Sequence, residues 1–147
     1  MPAIFDHERL VAYQRALKFI AWVAPLLDEL PAKISVRDQL DRASTSIPLN
    51  LAEGNGKRSF VDRSRYLDSA RGSGLECAAC LDVLVTRRLL TAERADEGKS
   101  ILLEVVSTTA GLIAHFAKQV REEQAEYGAA GRTEEKEEEE EEEEEKE

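Results

Sequence analysis

Apolar residues recur at Leu10, Tyr13, Leu17, Ile20, Ala24 and Leu27, at intervals of 3, 4, 3, 4 and 3. This rhythm keeps one face of an α-helix apolar, and it predicts a helix over about 6–30 with Asp6 as N-cap and Pro31 beyond its end. Pro25 falls inside and is expected to bend it. A second helix is predicted over 35–55, with Val36, Leu40, Ala43 and Ile47 on its seam and Asn50 and Gly54 at the next seam positions. A third, over 59–90, carries Leu67, Ala70, Gly74, Cys77, Leu81 and Leu84, and Ser59 with Asp62 supplies its capping pattern. A fourth, over 91–124, starts at Thr91 and Glu93 and carries Leu102, Val105, Thr109, Leu112, Phe116 and Val120. No stretch alternates as a strand would. Short connections make sequence neighbours antiparallel, so the predicted fold is an all-α, up-down-up-down four-helix bundle over residues 1–126.

Charge changes the picture only at the C-terminus. The chain of 147 residues has a net charge of −10, and residues 133–147 hold 12 Glu and 2 Lys, which account for all of it. Residues 127–147 therefore read as a flexible, disordered Glu-rich tail, kept open by self-repulsion and lack of apolar groups. It suits either a solubility role or contact with a basic protein.

The stretch "TSIPLNLAEGNG", residues 45–56, is unusual for a helix. Pro48 removes the amide donor for the Ser44 carbonyl. Neighbouring hydroxyls are expected to relieve that loss. Asn50 and Glu53 are expected to meet Arg71 in a polar network, and the small residues of "SARGSG" to let helices approach closely.

"SIPLNLAEG" followed by "SFVDRSRYLDSARGSGLE" resembles the signature of the 23S ribosomal RNA intervening-sequence protein family, and "LVAYQRALKFI" resembles that family's first helix. The resemblance covers about residues 4–120. It places Ser46, Pro48, Asn50, Glu53, Gly54, Arg58, Arg71, Gly72, Ser73 and Glu76 at motif positions, with Gly74 standing where a larger apolar residue is usual. It implies a left-handed bundle assembled into a ring, commonly a pentamer. The accessory protein of diversity-generating retroelements is a distantly similar bundle that works with a reverse transcriptase and nucleic acid. That analogy is one of fold only.

Catalytic patterns are sparse. Neither His7 nor His115 follows a Glu by three residues, as a di-iron bundle would need. Cys77 and Cys80 form one pair, short of the four ligands of a structural zinc site, and packing is the expected role. "GNGKRS" has no preceding strand and lacks P-loop spacing. No enzyme activity, metal or cofactor is expected. No signal peptide and no apolar run approaching about 18 residues is read from the chain, so a cytoplasmic protein without a membrane partner is expected.

One charged feature carries function. Lys57, Arg58, Arg63 and Arg65 fall within nine residues against Asp62 alone, and Arg87 and Arg88 mark the far end of the third helix. Repeated around a ring, such cations attract phosphate backbones. No aromatic platform is read among them, so base-specific recognition is not expected. The leading reading is a non-enzymatic, ring-forming adaptor that binds RNA or DNA, or an enzyme acting on them. The alternative is a protein-interaction scaffold with no nucleic-acid role.

Overall fold

The computed structural model describes residues 4–144, with side chains described for 4–133 and 136. Four α-helices follow one another: α1 (Val11–Glu29), α2 (Ser35–Gly56), α3 (Phe60–Thr86) and α4 (Ala92–Glu144). No strand occurs among the described residues.

Cross-helix contacts set the arrangement. The Arg37 Nε–H at the start of α2 donates to the Leu27 carbonyl near the end of α1, at 2.9 Å. The Ser46 and Ser73 hydroxyls lie 3.0 Å apart across α2 and α3. The ion pair Lys99–Asp82 joins α4 to α3. Arg94–Glu29 at 2.8 Å and Arg15–Glu104 at 3.0 Å join α4 to α1, the later residue of one helix matching the earlier residue of the other. The bundle is thus antiparallel throughout, in cyclic order α1–α2–α3–α4. These ion pairs are half-exposed and screened by solvent, so they orient the helices more than they stabilise them.

The core is mostly aliphatic: Leu26, Leu40, Ile47, Leu51, Leu67, Leu81, Leu84 and Leu102 are fully buried, with Phe19 among them. The seams of α3 and of Val36, Leu40, Ala43 and Ile47 on α2 fall where the periodicity places them, and Leu51 rather than Asn50 completes α2's inner face. The α1 seam is displaced. Ala12, Ala16, Phe19, Val23 and Leu26 face inward, whereas Leu17 is 45% exposed. Asp6 does not cap α1 either. It opens a short 3-10 helix, Asp6–Arg9, closed by the Phe5 N–H donating to Glu8 Oε2, and its own carboxylate accepts from Asn55. The caps expected at Ser59 and Thr91 are present, accepting from the Asp62 and Arg94 amides at 3.1 and 3.2 Å.

The third helix stops at Thr86, short of the expected residue 90. Arg88 takes φ 61, and the Leu89 N–H donates back to the Leu84 carbonyl at 2.9 Å. This closure usually uses glycine, and a side chain there costs about 1 kcal/mol. Arg88→Gly is therefore expected to raise stability by about 0.5–1 kcal/mol, read as a higher urea midpoint. A lower midpoint would mean that the arginine holds the turn.

Two units divide the chain, residues 1–113 and 114–147. In the second, α4 continues to Glu144 past the expected fraying point at Gln124. No described side chain from 114 onward is buried. The helix there rests on backbone bonds and on the propensity of Ala and Glu. Residues 145–147 of the predicted tail lie outside the described residues. Within Ala92–Thr133, α4 is long and apolar enough to cross a membrane by length and composition, at mean hydropathy 1.5, which an uninterrupted apolar run does not reveal. Leu102, Val105 and Thr109 of this helix are buried core residues, and Leu103 is 68% exposed.

Candidate nucleic-acid interface

The junction of α2 and α3 gathers four of the six candidate cations. Lys57 caps α2, its N–H donating to the Gly54 carbonyl at 3.2 Å. The Arg63 Nε–H donates to the Lys57 carbonyl at 2.7 Å, so Arg63 ties the first turn of α3 to the end of α2. Arg58 and Arg65 are exposed. Arg87 and Arg88 lie beyond the other end of the 27-residue α3, about 40 Å away at 1.5 Å per residue. They belong to a different end of the protomer.

A groove of about 360 Å³ lies at this junction, lined by Asn50, Lys57, Asp62, Arg65, Tyr66 and Ser69. Lys57 Nζ sits over the Tyr66 ring, 5.1 Å from its centroid, a cation–π arrangement. Tyr66 corrects the expectation that no aromatic accompanies the cations. It directly follows Arg65 in "RSRYLD", and one helical turn separates it from Asp62. Its place depends on Gly54. A Cβ on Gly54 would lie 2.8 Å from Tyr66 Cβ, so glycine sets the approach of α2 to α3. A second groove of about 340 Å³ lies on the same helix pair, lined by Gln39, Arg42, Ala43, Ser46, Ser73 and Glu76.

The motif residues divide between these grooves and the surface. Asn50 Nδ2 donates to the Ser46 carbonyl at 2.9 Å and to Ser46 Oγ at 2.8 Å, while Ser44 bonds the Asp41 carbonyl. None of these bonds reaches the Ser44 carbonyl, which Pro48 leaves without its usual donor. The expected network of Asn50, Glu53 and Arg71 does not form. Glu53, Arg71 and Glu76 are exposed, and no hydrogen bond or ion pair links them among the described residues. Arg71 stands two positions from Ser73, about 200° around α3, and so faces away from α2. A Cβ on Gly72 would meet open space, whereas one on Gly74 would lie 3.0 Å from a methyl of Val106 on α4.

Cys77 and Cys80 are both free and buried on α3. Burial, with Cys80 and Glu76 nearby, pushes the Cys77 thiol up to about 12, and burial raises Cys80 as well. Such thiols are poor nucleophiles and poor metal ligands at neutral pH. A raised folded pKa stabilises the fold fully below the unfolded value and is lost as pH rises through the folded one. Stability is therefore expected to fall between about pH 9 and 12, and Cys77→Ala to flatten that slope in urea titrations. An unchanged slope would assign the alkaline loss to other groups.

Residues 8–111 match the 23S rRNA-intervening sequence proteins. The chain belongs to this family. A crystal structure at 1.70 Å of a protein of unknown function from the S23 ribosomal protein family of Bacteroides thetaiotaomicron is similar, with TM-score 0.66 and 22% identity over 70% of this chain and 98% of that one. At that identity the likeness establishes the shared fold. No curated protein matches. The family match takes in both grooves of this intervening-sequence protein, and it ends before the second unit of the chain.

Proposed function

We propose that this chain is a non-enzymatic, ring-forming adaptor that binds nucleic acid through the α2–α3 junction. The observation that carries the reading is that Lys57 and Arg65 line an open groove, opposed among its lining residues by Asp62, with the exposed Arg58 next to Lys57 in the chain. A surface of this kind neutralises phosphates without needing a catalytic group. Exposed apolar side chains support assembly. Leu17 and Leu49 are exposed on α1 and α2, at 45% and 62%, and Leu75 and Leu103 on α3 and α4, at 48% and 68%. In the cyclic order of this bundle those two helix pairs form opposite sides. Contacts between unlike sides are head-to-tail and close into a ring when the rotation per copy permits. Five copies is the number that the family resemblance implies. Each closed ring would then display several copies of the basic junction.

The test is binding of mixed cellular RNA and DNA to the full chain across a salt series, with mass by light scattering. A ring-sized species whose affinity falls steeply with salt supports the proposal. A ring that binds neither polymer at low salt overturns its nucleic-acid half and favours a protein scaffold. A monomer overturns the ring.

A further inference from the structure

We infer that the α2–α3 surface is a track for single-stranded nucleic acid, with one unpaired nucleotide seated in the groove beside Tyr66. The inference rests on the nucleic-acid reading above. Shape is the first argument. The groove of about 360 Å³ falls at the low end of the 300–1,000 Å³ typical of small-molecule sites. A duplex is convex, with its bases stacked inside, and would touch only the rim. An unpaired nucleotide can enter.

The lining is the second argument. Lys57 and Arg65 are suited to a phosphate, but Asp62 lines the same groove and repels a bare anion. A ligand must therefore offer hydrogen-bond donors as well as negative charge, as a nucleotide does. Asn50 meets the donor requirement. Its Nδ2 is committed twice to Ser46, which leaves Oδ1 to accept from a base amine or a sugar hydroxyl. Tyr66 adds an aromatic ring of the kind on which bases stack regardless of sequence, open to a base once the Lys57 ammonium leaves its place over the ring for a phosphate.

The third argument is repetition. The second groove, of about 340 Å³, follows on the same helix pair. Ser46 lines it and bonds Asn50 of the first groove, and Arg42 stands in it as Arg65 does in the other. Tandem grooves, each with an arginine, a carboxylate and a polar wall, suit a polymer with a repeating unit better than a lone metabolite.

The experiment measures anisotropy of labelled single-stranded oligonucleotides of 3 and 12 residues, and of the matching 12-base-pair duplex, with the full chain over a salt series. Single strands are expected to bind at least about tenfold more tightly than duplex at equal salt. Tyr66→Leu is expected to remove about tenfold of that preference, in line with the loss of one base stack. Tyr66→Phe is expected to keep it. Arg42→Gln is expected to weaken the 12-mer and spare the 3-mer. Fluorescence of Trp22 checks that each variant is folded. Equal affinity for single strand and duplex, or a folded Tyr66→Leu variant with wild-type preference, overturns the track. No binding of any of these at low salt overturns the nucleic-acid reading itself, and the track with it.

Discussion

Alanine at Gly98 is expected to destabilise the bundle by about 1–3 kcal/mol, although the same change in an exposed helix interior would stabilise it by up to about 1 kcal/mol. The new Cβ would lie 2.5 Å from Cη2 and Cζ3 of Trp22 and 2.9 Å from a methyl of Leu81. Neither neighbour can easily give way. Trp22 stacks on Phe19 with ring centroids 5.7 Å apart, and Phe19 and Leu81 are fully buried. The substitution must therefore push α4 away from α1 or force Trp22 off its rotamer. Trp22 is the sole tryptophan, so its emission reports the event directly. Urea denaturation followed by fluorescence is the measurement. Gly111→Ala is the control, because a Cβ there meets open space, and its midpoint is expected to hold or rise. A Gly98→Ala protein as stable as wild type would mean that the α1–α4 contact is looser than described.

Charge reversal at Lys57, Arg58 and Arg65 is expected to weaken nucleic-acid binding at moderate salt by about a hundredfold or more. Each lost phosphate contact removes about 0.7–0.9 from the slope of log affinity against log salt. Three lost contacts reduce it by about 2–3 per protomer engaged. Arg63 is left unchanged in this variant because its Nε–H holds the Lys57 carbonyl, and its loss would confound binding with unfolding of the junction. Arg87→Glu with Arg88→Glu, at the opposite end of α3, is expected to change affinity far less. Equal losses from both variants would point to general attraction rather than to the junction. Unchanged binding in the folded triple variant would remove these three residues from the interface.

The bundle was legible because apolar residues recur at helical spacing along all four helices, and because α3 and α4 start at ordinary capping residues, Ser59 and Thr91. The displaced seam of α1 has a definite cause. Two apolar stripes run along this helix, one through Ala12, Ala16, Phe19 and Val23, the other through Tyr13, Leu17 and Ile20. Both have helical spacing, and the second is bulkier. Which one turns inward is decided by partners distant in sequence, such as Gly98 receiving Trp22, and spacing within α1 carries no trace of them. Arg71 illustrates the same limit. Its charge complements Glu53, but its position on α3 turns it from α2, a matter of angle rather than composition. At the candidate interface, the cations were readable from charge alone. The groove was not, because it needs Asn50 and Tyr66 from different helices brought together by the tight crossing at Gly54.

If the protomer closes head to tail through its exposed apolar side chains, as proposed, a genetic consequence follows. In head-to-tail closure each copy offers one side and receives the other. A variant altered only at Leu103 keeps Leu17 and Leu49, so it can still join a growing assembly and yet refuse the next copy. Such a variant would poison rings made by a normal allele in the same cell, whereas a variant that fails to fold would be recessive. Dominance in cells carrying both alleles would thus separate a surface defect from a core defect without purification of either protein.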